Sequence, residues 1–180
     1  QSQQLLLAFY NSVSIFLNLI KYKYIVNYCI IPIRFGSKSI KNKNIIDVKG
    51  KPLSYYAISE AIKSKVFSRI ILSSDSKYYL KIFKKIFKNK LVYHLRSKKN
   101  SQNTSTSESV IIEVMNKYNL KGNNCFLVQS TSPLVKKIDF IMANQYFNKH
   151  KLDSLFTGFK KKIFIWRYIK NRLYPLNYNF

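Results

Sequence analysis

The sequence predicts an α/β protein, a three-layer Rossmann-like sandwich around a mainly parallel sheet, and three observations carry that expectation. Short runs rich in Ile, Val, Cys and Phe alternate with longer stretches whose apolar residues recur every three or four positions, the signature of strand–helix–strand units. The 180 residues are 47% apolar and 16% aromatic, enough for one domain with a sizeable core and too apolar for disorder. No internal repeat and no Gly/Ser-rich linker interrupts the chain after residue 25.

Taken in order, the runs at 28–33, 69–74, 90–94 and 125–129 are the expected strands, each bounded by polar or turn-forming residues. Residues 53–65, 77–87, 107–118 and 138–149 carry the helical period. A β-like stretch follows at 154–159, another run at 163–169, and then a polar tail. Ahead of the first strand, residues 5–20 are strongly apolar, yet this is short for a membrane span and contains Asn11, Ser12, Ser14 and Asn18. No basic residue precedes it, as a signal peptide requires. The expectation is an upstream helix or remnant, ranked ahead of a membrane anchor and of a signal peptide. The expected boundaries are an apolar extension over 1–24 and one α/β domain over 25–180. Residue 1 is Gln rather than Met, so the chain reads as a fragment or a processed product.

The formal charge of +25, from 32 basic and 7 acidic residues, raises nucleic acid or a membrane surface as partners. The lysines are instead spread along the whole chain among Asn, Ile, Tyr and Phe, the mixture that AT-rich coding produces. No arginine-rich arm, zinc-finger spacing or RNA-binding aromatic signature accompanies them, so neither partner is expected. The surplus still favours anionic small substrates. Cys29 and Cys125 lie in apolar runs and are expected as reduced, buried core thiols, which fits a cytoplasmic setting.

In a sheet of this type the loops after the carboxyl ends of the strands form the ligand crevice. The first such loop lies in IIPIRFGSKSIKNKN, residues 30–44, and brings Arg34, Gly36, Ser37, Lys38 and Lys43 within ten positions. Guanidinium, hydroxyl, ammonium and a close-approach glycine suit a polyphosphate, although the Walker spacing is absent. On the residues alone, a phosphate loop and a solvated basic loop both stand. Gly50-Lys51-Pro52-Leu53 opens the first helix with proline at its start. Ser73-Ser74-Asp75-Ser76 ends the second strand, and Asp75 is expected to cap the helix that follows, ahead of the alternative of a carboxylate facing the crevice. After the third strand come Arg96 and the hydroxyl- and amide-rich run from Asn100 to Ser109; after the fourth, Gln129-Ser130-Thr131-Ser132-Pro133-Leu134. His94 and His150 read as packed or surface residues, and Trp166 as packing.

This ordered set resembles the CMP-sialic acid synthetase (N-acylneuraminate cytidylyltransferase) family over roughly residues 27–179. The resemblance implies a nucleotide-diphosphosugar transferase type of fold. It also implies transfer of CMP from CTP to a nonulosonic, sialic-type acid, an acidic nine-carbon sugar, with release of pyrophosphate. It assigns nucleotide binding to Arg34, Ser37, Lys38, Lys43 and Asn44, with Arg34 and Lys43 also catalytic. Cytosine reading falls on Arg96, Ser105 and Ser107, and sugar binding on Gln129 and Arg167. Phe35 and Ser39 stand where the family commonly has glycine, Asn103 where it has Asp, Ser130 where it has Pro, and Val135 where it often has Arg. The family's Mg2+ is held by paired aspartates further downstream, so no metal ligands are expected in this chain, and the 180 residues alone are expected to be an incomplete, inactive catalytic domain. A homodimer is expected of the full-length form. An inactive nucleotide-binding remnant and a basic interaction protein on the same fold remain as alternatives.

Overall fold

The computed structural model describes residues 25–37, 40–102, 104–158 and 164–177. The chain divides into two compact units, 1–144 and 145–180.

The first unit is built on a four-stranded, wholly parallel sheet in the order β5-β4-β1-β6, from β1 (Asn27–Ile33), β4 (Arg69–Ser74), β5 (Val92–Leu95) and β6 (Asn124–Leu127). Helices α1 (Leu53–Ser64) and α2 (Lys77–Phe87) follow β1 and β4, α3 (Ser107–Lys117) precedes β6, and α4 (Lys137–Lys149) follows it. A two-stranded antiparallel ribbon, β2 (Asp47–Val48) with β3 (Lys51–Pro52), leads into α1.

The period of two in β1 explains the three layers. Cys29, Ile31 and Ile33 join Ile70 and Leu72 on one face, under Ala57, Ile58 and Ala61 of α1, Tyr79, Phe83 and Phe87 of α2, and Phe140 of α4. Ile30 and Ile71 point to the other face, against Val114 of α3 and Leu120. In α2 the three buried aromatics recur every fourth residue while lysines take the other faces, so burial of this one stripe seats the helix. Each such aromatic stabilises the fold by roughly 1.5–3 kcal/mol through burial alone. Pro32 sits in this central strand because its missing N–H costs no ladder bond: Ile30 O, on the same side, accepts from Val128 N, and the β1–β6 pairing ends there.

The chain runs outward from β1 to β4 and β5 and then returns to place β6 on the other side of β1. This reversal makes a topological switch point between β1 and β6, where the loops leaving the two strands diverge and open a crevice.

Three expectations are corrected. Cys125 is exposed, because β6 borders the sheet and turns Cys125 and Leu127 outward; only Cys29 is a core thiol. Asp75 is not the cap of α2: Ser76 is, accepting from Tyr79 N at 3.2 Å. Residues 154–158 form no strand, since no partner strand lies beside them among the described residues.

Helix ends follow from a chain with 4 glycines. α1 stops at Lys65, α3 runs past its end into Asn119, and α4 into Lys151, all with positive φ of 50–55°. After the last two, Leu120 N reaches Met115 O and Leu152 N reaches Phe147 O, closing the helix end as a glycine would.

In the second unit, β7 (Trp166–Ile169) pairs antiparallel with β8 (Arg172–Pro175). The two residues between them, Lys170 and Asn171, both have positive φ, the requirement of a tight hairpin turn. Trp166 lies exposed on β7, which corrects its expected packing role. No helix among the described residues is long and apolar enough to cross a membrane. The expectation for residues 1–24 lies outside the described residues.

Candidate functional site

Four loops leave the carboxyl ends of the parallel strands on one side of the first unit. Arg34 follows β1 directly, and Gly36 turns the chain with φ 72°, a conformation that a Cβ would strain and for which glycine is suited. The loop returns through the 3-10 turn Lys43–Ile45. Its anchor is Asn44, which is buried: Asn44 Nδ2 donates to Arg34 O at 2.8 Å, and its Oδ1 accepts from Ser130 Oγ at 2.9 Å and Ser54 Oγ at 3.4 Å. One amide thus ties the loop after β1 to the loop after β6 and to α1, across the switch point. Ser130, at the place of the family's proline, supplies the hydroxyl for that tie.

A second brace comes from Asp75, whose Oδ1 accepts from Phe35 N at 2.9 Å. A third is Tyr79, which donates to Asn42 Oδ1 at 3.1 Å while its ring meets Phe35 edge-on. Asn42 needs the help, since it stands in the left-handed region at φ 55°.

Arg96 lies across the strand ends. Its Nη2 donates to Ile33 O at 3.1 Å and Ser73 O at 3.2 Å, and its Nε to Ser73 Oγ at 3.2 Å, so the guanidinium joins β5 to β4 and β1. Burial lowers its pKa, Asp75 raises it, and the neighbouring Arg34 lowers it again. Arg34 and Arg96 thus add positive potential at the mouth of the crevice, beside the carboxylate of Asp75.

The loop after β5 hangs on Glu113 of α3. Its carboxylate accepts from Ser97 N at 2.8 Å, Ser97 Oγ at 2.7 Å, His94 Nε2 at 2.9 Å and Asn100 Nδ2. Burial pushes this carboxyl up, but the bonds from Ser97, Asn100 and His94 outweigh it and hold the pKa down at about 2. Ser105 Oγ donates to Lys99 O at 2.9 Å, and Thr106, rather than Ser107, caps α3 by accepting from Ser109 N. An open cleft of about 410 Å³ lies between the first and third loops, lined by Phe35, Asp75, Ser76, Tyr78 and Ser101.

The cytidylyltransferase family model matches residues 28–164, which takes in all four strands and all four loops. The chain belongs to this family. The chain is 34% identical to a pseudaminic acid cytidylyltransferase of Campylobacter jejuni subsp. jejuni serotype O:2 over 135 residues, covering 73% of this chain and 57% of that one. It is 32% identical to an N-acylneuraminate cytidylyltransferase of Streptococcus agalactiae serotype V over 130 residues, 71% of this chain and 30% of the relative. Among solved structures it resembles a CMP:2-keto-3-deoxy-manno-octonic acid synthetase complexed with CTP, with a TM-score of 0.58 and 18% identity over 70% of this chain and 48% of that one. The expected α/β fold of the nucleotidyltransferase type is therefore present. The chain spans about half, or less, of the length of these relatives.

Of the sequence-predicted site residues, Arg34, Ser37, Lys43, Asn44, Arg96, Ser105 and Gln129 lie on the loops at the carboxyl edge of the sheet, and Ser107 opens α3. Within them the structure separates two kinds. Asn44 and the Ser105 hydroxyl are engaged with the protein itself, whereas Ser107 and Gln129 present exposed residues. Arg167 belongs to the second unit, on the exposed face of β7. Lys38 and Asn103 lie outside the described residues. Asp75, expected chiefly as a helix cap, and Glu113, for which the sequence suggests no role, brace the loops of this edge. Among the described residues no group of three His, Cys, Asp or Glu side chains comes together where it could hold a metal ion.

Proposed function

We propose that this chain carries the CTP-binding part of an enzyme that transfers CMP to a nonulosonic acid. The observation that carries the reading is Arg96 lying across the ends of β4 and β1, within electrostatic reach of Arg34, beside a loop that Asn44 pins across the β1/β6 switch point. In this reading Arg34, Ser37, Lys38 and Lys43 receive the phosphates, and the anomeric hydroxyl of the sugar attacks the α-phosphorus, expelling pyrophosphate. Arg34 and Lys43 offset the charge that builds on the transferring group; positioning and charge provide most of the rate in such transfers. Arg96, Ser105 and Ser107 face the base, Gln129 and Arg167 the sugar. Mg2+ belongs to the same reading, where it would offset the negative charge of the triphosphate. A homodimer, and a cytoplasmic setting, are part of the same reading.

The acceptor is a nonulosonic acid of the sialic or pseudaminic type, since relatives of near-equal identity are named for each. Calorimetric titration with CTP, ATP and GTP tests the reading: CTP should bind most tightly, and Arg34→Ala should weaken it. Equal binding of all three nucleotides would refute it, because a diffuse cationic surface does not read a base. Assaying a version that includes the remaining family length with N-acetylneuraminic and pseudaminic acids decides the acceptor.

A further inference from the structure

We propose that Glu113 is a positioning residue for base selection, its carboxylate fixing the 96–101 loop and thereby the aim of Arg96. The inference rests on the CTP reading above, but its observations are its own. Glu113 sits on α3, a helix that contributes no expected ligand beyond its first residue, yet it gathers four hydrogen bonds, all from the segment around Arg96. His94 lies two residues before Arg96, Ser97 one residue after it, and Asn100 closes the turn, donating also to Ser109 O at 3.2 Å. Arg96 N is itself paired with Ser74 O at 2.9 Å, so the backbone on both sides of the arginine is fixed.

A carboxylate is the group this arrangement requires. All four partners bring a hydrogen, and a glutamine in the same place would present an N–H to at least one fixed donor, either Ser97 N or Asn100 Nδ2. His94 fits the same logic. With Nε2–H donating to Glu113, its buried Nδ1 carries a lone pair and has no partner among the described residues. A proton there would have no acceptor. Burial favours the neutral ring, the Glu113 bond opposes that, and Lys117 and Arg96 act with burial. The ring also meets Tyr118 edge-on at 5.7 Å, leaving it one orientation.

The test compares the whole chain with Glu113→Gln and with the milder Ser97→Ala, measuring affinity for CTP, UTP and inorganic pyrophosphate. UTP differs from CTP only at the polar edge of the base, and pyrophosphate has no base. Glu113→Gln should lower CTP affinity about tenfold, the usual consequence of one lost charged hydrogen bond. It should shrink the preference for CTP over UTP and leave pyrophosphate affinity unchanged. Ser97→Ala, at an exposed position, should move the same preference in the same direction by about threefold. A wild-type CTP preference that both variants retain would overturn the proposal alone, as would a parallel fall in pyrophosphate affinity. A wild-type chain with no CTP preference would overturn the underlying reading, and the proposal with it.

Discussion

Replacing Asn44 by alanine should destabilise the first unit by about 2–4 kcal/mol, because three hydrogen bonds meet at one buried amide. The magnitude builds from the groups left behind. Ser130 is 3% exposed, and losing its acceptor leaves a buried hydroxyl, at about 1–3 kcal/mol. The Arg34 carbonyl is half-buried and partly recovers with water, so its loss lies near the low end, about 1 kcal/mol. The Ser54 contact at 3.4 Å adds little. With a urea slope of about 2 kcal/mol per molar, the unfolding midpoint should fall by about 1–2 M. A double-mutant cycle sharpens the attribution: Ser130→Ala alone should cost about 1 kcal/mol, and much less in the Asn44→Ala background. A midpoint shift below about 0.3 M, or additive costs for the pair, would refute the tie across the switch point.

Acidification should destabilise the fold in two windows. The folded His94 pKa is lowered, so stability falls as pH drops through the ordinary His value of 6.5 toward the lower folded one; the depressed Glu113 then loses its contribution between about 4.5 and about 2. Urea midpoints across pH should show both, Glu113→Gln should flatten the lower window, and a flat wild-type profile would contradict the arrangement. Ser76→Ala should cost about 1 kcal/mol as the loss of a helix cap, while Asp75→Ala should cost less and instead weaken CTP binding; the reverse ranking in thermal melts and titrations would restore Asp75 as the cap. A thiol reagent should label Cys125 in the native chain and reach Cys29 only in denaturant, and labelling of both at once would contradict the burial of β1.

The sheet and its helices were legible because each carries its own period. The strand expected at 90–94 lies at Val92–Leu95, since the chain first closes a 3-10 turn at Lys88–Lys90. The hairpin at 166–175 was missed because its turn is Lys170-Asn171 rather than a glycine pair, and only the backbone reveals the two positive φ values. At the site, the basic residues could be read off one loop, whereas the braces could not. Asp75 lies 40 residues from Phe35, and Ser130 lies 86 from Asn44, so no local pattern joins them. Glu113 occupies a position on α3 that resembles any solvated helix face until the loop folds back onto it.

Lys65, Asn119 and Lys151 end three helices in a backbone region that suits glycine. Each such residue stores about 1 kcal/mol of conformational strain, and three together amount to a noticeable part of the roughly 5–15 kcal/mol that keeps a domain folded. A chain with 4 glycines and an abundance of lysine and asparagine thus carries the strain of its helix ends in its thermodynamics. Single substitutions to glycine at Lys65, Asn119 and Lys151 should widen its margin against heat while leaving the core and the ligand loops untouched.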